Sequence, residues 1–358
     1  MVARPGVQAT VEAWTRQSIE PLKRRVRASG PDPMTEQRRA RAREPVFDQP
    51  IDAVITWVDD ADPQWRADRE AALARKPAGS AARDASTDAR FRTLGELRYV
   101  LRGIDQFMPW VRRVVLVTSG QAPPAWLDPD SVRVVAHADF LAPTALPTFN
   151  SHAIESALWR IDGLAEHFVY FNDDVLVTRG VRPNDFFSPT GWPRVCVTAL
   201  PVPGDPGPAL DSAALSGARN ARRVLASSGV GEATRLVAHT PNAQRRSLHR
   251  ELAGDYPGPL SRTEHSPFRT AEDVAPIFLH TWFALLTGRA EEVLMTHRYV
   301  ELSTARGSRR LEMEVRRRDV DFLCANLAAD PLVPWPRLAS RVDAALAVAL
   351  PGRSRFER

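Results

Sequence analysis

Phe168-Val169-Tyr170-Phe171-Asn172-Asp173-Asp174 is an apolar, β-favouring run that stops on two adjacent carboxylates. A buried strand that carries two acids to its C-terminal end puts negative charge at a sheet edge, where open α/β sheets bind ligands. Two neighbouring acids repel each other unless a cation lies between them, and Mg²⁺ or Mn²⁺ with oxygen ligands is the usual partner. A strand that merely ends in an Asn-Asp turn has the same local look. The two readings part on whether other strands end in the same way.

Working outward, four more segments read as strands, and two of them have polar ends as well. Ile51–Val58 runs into Asp59-Asp60 and Asp62, and Arg113–Thr118 turns at Ser119-Gly120 before Gln121. Val132–His137 follows the second of these, and Val195–Leu200 follows the acid pair. Helical patterns fall between them. One runs from Pro63 to about Lys76. A second covers residues 94–107, where Leu94, Leu97, Leu101, Ile104 and Phe107 recur at helical spacing. A third starts at Ser151 as N-cap, with Glu155 in an early turn, and ends at Ile161. Pro77–Ala89 reads as a mobile loop. Strands alternating with helices predict a largely parallel α/β sheet over residues 46–205. Beyond the Pro/Gly loop Pro201–Pro208 the patterns are mainly helical, at 211–228, 243–253, 271–287, 308–327 and 337–349. Residues 206–358 are therefore expected to be a mainly helical portion of the same domain.

The 358 residues suffice for one large α/β domain, and 44% hydrophobic with 25% charged residues is ordinary for a globular chain. No apolar run is long enough for a membrane span, and no signal-peptide core precedes the body, so a cytoplasmic protein is expected. Residues 1–45 carry ten Lys/Arg against five Asp/Glu, which accounts for the whole net charge of +5. The basic balance thus belongs to a leader and not to a nucleic-acid-binding surface. Within it Val11, Trp14, Ile19, Leu22 and Val26 share one helical arc, opposite Arg16, Lys23 and Arg27, a pattern suited to peripheral contact with an anionic membrane. Pro21 interrupts that helix, which favours a solvated, partly disordered leader over one laid on a membrane. Cys196 and Cys324 are far apart in apolar contexts and are expected to be buried free thiols.

There is no G-x-G-x-x-G and no Walker A pattern, which argues against dinucleotide and P-loop chemistry. Gly120 could let the backbone approach a phosphate closely. His239 in Val-Ala-His-Thr-Pro and Arg269 in Pro-Phe-Arg-Thr are, taken singly, more often structural. Joined to an acid pair they complete a set for phosphoryl transfer: a metal on a diphosphate, a cationic clamp and a base near the attacking hydroxyl.

Ile51-Asp52-Ala53-Val54-Ile55-Thr56-Trp57-Val58-Asp59, with Asp62-Pro63 and Trp65, resembles the first conserved region of the Stealth family of sugar-phosphate transferases. That family includes bacterial capsular-polysaccharide phosphotransferases and the catalytic subunit of animal N-acetylglucosamine-1-phosphotransferase. The second region is similar from Phe91-Arg92 and Glu96-Leu97-Arg98-Tyr99, through Val117–Gln121 and Leu146–Glu155, to Tyr170–Val175. The third resembles His239-Thr240-Pro241 with Arg245-Arg246, and the fourth Phe268-Arg269 with Glu272-Asp273-Val274. Two positions depart from the pattern: Asp60 stands where Gly is usual, and Leu327 follows Asn326 where an Asp is common.

The resemblance implies a glycosyltransferase-A-like, Rossmann-type core and transfer of a sugar-1-phosphate from a UDP-sugar, typically UDP-N-acetylhexosamine, to a sugar hydroxyl of a glycan. It implies that Asp173 and Asp174 hold Mg²⁺ or Mn²⁺, that Arg269 stabilises the transferred phosphoryl group, and that His239, Asp173 or Asp174 is the base. Asp59, Arg92, Thr118, Gly120, Gln121, Asn150, Ser151 and Glu155 would line the donor site. A homodimer, contact with the inner face of the membrane through residues 1–45 and a place in capsule or surface-polysaccharide synthesis belong to the same expectation. The rival readings are a metal-dependent glycosyltransferase, which would release UDP instead of UMP, and a non-catalytic nucleotide-sugar-binding paralogue, for which Leu327 is the argument.

Overall fold

A computed structural model describes residues 32–75, 88–204 and 212–358. Strands β1 (Ile51–Thr56), β2 (Arg113–Thr118), β3 (Arg133–Ala136), β4 (His167–Asn172) and β5 (Val175–Val177) come first. They are followed by β6 (Arg194–Val195), β7 (Val197–Pro201), β8 (Arg235–Val237) and β9 (Asn242–Arg245). The last are β10 (Glu291–Glu292), β11 (His297–Glu301) and β12 (Phe322–Asn326).

The main sheet has the order β3-β2-β1-β4-β9, parallel except for the antiparallel edge strand β9. This is a mixed α/β arrangement compatible with a Rossmann-like core. Its central strands are continuous apolar runs because helices cover both faces. Ile55, Leu116, Phe168 and Phe171 are all under 2% exposed, and burying each such side chain is worth about 1.5–3 kcal/mol. Asp52 is the polar exception inside β1. Its carboxylate accepts a fork from Arg112 at 2.8 and 2.6 Å and the Ala165 N–H at 2.9 Å, so it locks the entry of β1 to those of β2 and β4.

A second sheet, β11-β12-β5, shares no strand with the first. Helix Glu96–Phe107 lies against β5, and Gly103 makes the close approach possible: a Cβ there would sit 2.6 Å from the Val177 carbonyl oxygen.

The C-terminal portion is less helical than its patterns suggest. Helices Ala213–Ser227, Arg246–Asp255, Pro257–Glu264, Pro276–Leu286, Gly307–Arg317 and Trp335–Ala349 are present. Strands β8 to β12 are interleaved with them, and β9 belongs to the main sheet. The expected helix 308–327 stops at Arg317. Arg318 turns into the left-handed region at φ 49°, and Phe322–Asn326 becomes a strand buried on both faces.

Residues 11–26, read as a basic helix, lie outside the described residues, as does most of the 77–89 loop. The described end of the leader is docked on the body instead of hanging free. Helix Pro33–Ala42 sends Arg41 to Asp185 at 3.1 Å and Arg38 to Asp321, while Glu44 takes an arginine fork from Arg194 at 2.7 and 2.9 Å. Among the described residues no helix is long and apolar enough to cross a membrane.

Candidate active site

Asp173 and Asp174 are the whole of the link between β4 and β5, so one chain passes from the main sheet into the second sheet through the acid pair. The link is held on both sides. Thr56 pairs with Asn172 in the main sheet, Val175 pairs with Cys324 in the second, and the Ala325 N–H donates to the Asp174 carbonyl at 3.0 Å. These bonds aim the Asp174 carboxylate at β12. Asn326 Nδ2 donates to its Oδ2 at 2.8 Å, and the Cys324 thiol donates to the same oxygen at 3.4 Å.

Oδ1 of Asp174 is buried with no hydrogen-bond partner, and His239 Nε2 stands 3.6 Å away. That is an ion-pair separation and too long for a hydrogen bond. His239 is brought here by the turn between β8 and β9, with Asn172 Nδ2 at 3.4 Å and the Tyr299 ring edge-on at 5.9 Å. Burial pushes the Asp174 carboxyl up, but His239, Asn326 and Cys324 together hold it below the usual carboxylate range. Burial first and the adjacent carboxylate second push Asp173 up to about 7. The Cys324 thiol is held protonated by burial and then by Asp174.

Glu96 is a third acid at this centre, and it entered the sequence reading only as part of the second conserved region. Its Oε2 accepts the Leu94 N–H at 2.7 Å. Burial, then Asp173, raise it to about 8, with Asp174 adding to the effect. Three carboxylates that each disfavour the others' ionisation are what a cation would relieve.

Arg269 belongs to a neighbouring cluster. Its guanidinium donates to the Ser151 hydroxyl, which donates to Glu155 Oε1 at 3.1 Å. The same Glu155 oxygen accepts from the Tyr170 hydroxyl at 3.3 Å, and Tyr170 is 3.0 Å from Thr56 Oγ1. The chain of contacts therefore runs from Arg269 to the C-terminal ends of β1 and β4. Burial raises Glu155 to about 6, against the opposing pull of Arg269. Phe268 positions the arginine by stacking on Phe149 at 5.3 Å, and the Phe149 N–H donates to the Pro267 carbonyl at 2.8 Å. Asn150, not Ser151, is the N-cap of helix Ser151–Ala157: its Oδ1 accepts the His152 N–H at 3.0 Å. Its amide donates to Asp273 at 2.7 Å and to the Ser266 carbonyl at 3.1 Å.

The other expected donor-site residues follow β1 and β2. Gln121 clamps the Asp59 backbone at both ends, accepting its N–H at 3.1 Å and donating to its carbonyl at 2.7 Å. Thr118 accepts the Gly120 N–H at 3.2 Å, and Gly120 has φ 97° with open space where a Cβ would be. Arg92 reaches Asp60 at 3.4 Å and lies over the Trp335 ring at 4.7 Å. Asp60 thus serves as an anchor for Arg92 and accepts the Thr93 N–H at 3.3 Å. Thr118 and Asn150 are 0% exposed, so they can only support the groups that a ligand would touch.

A divalent cation fits at Asp174, where an orphaned buried carboxylate oxygen waits beside a ring nitrogen. Among the described residues the convergent set is Asp174, His239 and Cys324, with one ligand atom of each within 4.8 Å of the others. Asp173 stands outside it. Cys324 entered the sequence reading only as a buried thiol, since nothing local signals that β12 will lie beside β5.

Comparison with known proteins matches residues 49–77 to Stealth protein CR1, conserved region 1, residues 90–195 to CR2, conserved region 2, and residues 238–286 to CR3, conserved region 3. An exopolysaccharide phosphotransferase of Streptomyces coelicolor is 40% identical over 86% of this chain and 52% of its own length. One of Nocardia farcinica is 37% identical over 86% of this chain and 61% of its own. One of Mycobacterium tuberculosis is 38% identical over 84% of this chain and 56% of its own. The chain thus spans little more than half the length of these relatives.

Proposed function

The chain belongs to the Stealth family, and from that premise we propose that it transfers a sugar-1-phosphate from a UDP-sugar, with N-acetylhexosamine as the sugar, to a hydroxyl of a glycan acceptor during exopolysaccharide synthesis. In this reaction the acceptor oxygen bonds to the β-phosphorus. The bond from that phosphorus to the bridging oxygen breaks, UMP leaves with the electron pair, and a phosphodiester-linked glycan results.

The observation that best supports this reading is the meeting of Asp174 and His239 at the C-terminal edge of a parallel sheet, with the Arg269–Ser151–Glu155 cluster beside it. A cation bound at Asp174 would supply charge neutralisation at the diphosphate. Arg269, held by Ser151, stabilises the oxygens of the migrating phosphoryl group, which carry the charge that matters most in such transfers. Asp173 lies in the same link, outside the Asp174–His239–Cys324 set, and we assign it to accept the hydroxyl proton. Asp59 and Gly120, backed by Gln121 and Thr118, offer the sheet edge to the nucleotide.

The test is incubation with a panel of UDP-sugars, a divalent cation and a glycan acceptor, with the released nucleotide separated by chromatography. UMP supports the reading. UDP would make the chain a glycosyltransferase, and tight UDP binding without turnover would make it a binding paralogue.

A further inference from the structure

We propose that the exposed face of helix Gly307–Arg317 is a binding track for a polyanionic glycan. The occupant is the phosphodiester-linked chain made by the reaction proposed above, and its identity rests on that reading. At 100° per residue, Arg306, Arg309, Arg310, Met313, Arg316 and Arg317 share one arc of roughly 120°. Gly307, Ser308, Leu311, Glu314 and Val315 fill the buried side. Glu314 is taken up by Arg298 at 3.4 Å and Arg317 at 3.3 Å, and Glu312 lies half-buried on the flank. The arc itself therefore holds five arginines and no acid. Among the described residues Arg306, Arg309, Arg310 and Arg316 have no ion-pair partner. Arg341 of helix Trp335–Ala349 adds charge at the N-terminal end, its guanidinium 3.4 Å from the Ser308 hydroxyl.

The placement of the helix picks the occupant. Gly307 starts it hard against the end of β11, where a Cβ would sit 2.5 Å from the Glu301 carbonyl oxygen. Glu301 is the strand partner of Asn326, whose amide holds Asp174 at 2.8 Å. At its other end the helix reaches the start of β11, where Arg298 pairs with Glu314 and Asp319. The helix thus runs antiparallel to β11. Its arginines lead from the acid centre's edge of the second sheet to the far edge, about 16 Å from Arg306 to Arg317.

Each transfer leaves one phosphodiester, which is anionic at neutral pH, so a growing chain is a string of negative charges that starts at that edge. One exposed arginine on one phosphate is worth little in water. Several along one chain act together through effective concentration, and keep the acceptor near the centre between additions. Guanidinium forks also match phosphate oxygens in geometry. An anionic membrane fits less well, because a helix lying on lipid turns its apolar face into it. Here Leu311 and Val315 are buried in the body, and Met313, 54% exposed, is the single apolar side chain in the arc.

The experiment is fluorescence anisotropy of the full chain with a labelled octamer of N-acetylglucosamine-1-phosphate units. Uncharged chitooctaose and vesicles of phosphatidylglycerol with phosphatidylcholine are run beside it. Octamer binding should weaken by about tenfold or more between roughly 50 and 200 mM salt, as contacts to several phosphates are screened. Arg309→Glu with Arg316→Glu should weaken it by at least about tenfold and raise KM for the octamer as acceptor. UMP release to free N-acetylglucosamine should stay unchanged. If the charge reversal prevents folding, Arg309→Gln with Arg316→Gln decides by the same readouts. Absence of octamer binding, or chitooctaose binding equally well, overturns the proposal. So does vesicle binding that the substitutions abolish while octamer binding is unmoved, which would make the face a membrane contact. Octamer binding that depends on Arg309 and Arg316, without any UMP release, would refute the transferase reading and leave the track standing. UMP release with octamer binding and KM untouched by the substitutions would do the reverse.

Discussion

Replacing Glu96 with Gln should make the cation-free protein more stable at high pH than the parent. Glu96 is 7% exposed, and burial together with Asp173 and Asp174 moves it from an ordinary 4.5 to about 8. A folded-state pKa above the unfolded one means that the native protein holds the proton more tightly. The resulting stabilisation is complete below pH 4.5 and is lost as pH rises through about 8. A displacement of this size corresponds to at most about 5 kcal/mol. Gln keeps the oxygen that accepts the Leu94 N–H and never ionises. The assay is denaturant unfolding of both proteins at intervals from pH 5 to 9 in the presence of a chelator. The parent should lose several kcal/mol relative to Glu96→Gln across that range, with the curves closest at pH 5. A saturating divalent cation should remove most of the difference by screening the three acids. Parallel curves across the range would refute the claim that these carboxylates share one buried field.

Other perturbations separate chemistry from support. Asp174→Asn should abolish cation-dependent UMP release while far-ultraviolet circular dichroism stays unchanged. Arg269→Ala should slow turnover by roughly a hundredfold, about 3 kcal/mol, and unchanged UMP release by chromatography would remove Arg269 from the transition state. Glu357 accepts a fork from Arg102 at 2.8 and 2.9 Å, and with burial opposing them Arg102 and the Ser354 N–H lower it to about 2. Glu357→Gln should therefore cost about 3 kcal/mol at pH 7 in urea unfolding, a deficit that shrinks as pH falls below 4.5 toward 2. Gly103→Ala forces a Cβ to within 2.6 Å of the Val177 carbonyl, and about 1–3 kcal/mol of destabilisation should appear in thermal melts.

The parallel core was legible because strands buried on both faces must be continuous apolar runs, and β1, β2 and β4 are such runs. Their polar ends lie side by side at the C-terminal edge of the sheet. The helix beginning at residue 151 was found, but adjacent Asn150 and Ser151 are both good caps, and only the bond to the His152 N–H tells them apart. Residues 308–327 misled because a real helix passes into a short buried strand, and a short apolar run has no period of its own. Cys324 and Glu96 were missed as site residues for a related reason. Each is delivered by a contact far along the chain, β12 on β5 and helix Glu96–Phe107 on β5, which local pattern cannot reveal. The docked part of the leader was hidden by its charge: Arg38 and Arg41 look solvated until Asp321 and Asp185 come into view.

The passage of the chain from one sheet to the other through Asp173 and Asp174 gives the centre two owners. His239 hangs from the turn into β9, and Cys324 with Asn326 belongs to β12. The carboxylates sit on the seam between these two hydrogen-bonded plates. Slackening of either plate opens the seam before it unravels the plate, so mild heat or low urea should silence the protein while its circular dichroism spectrum still looks native.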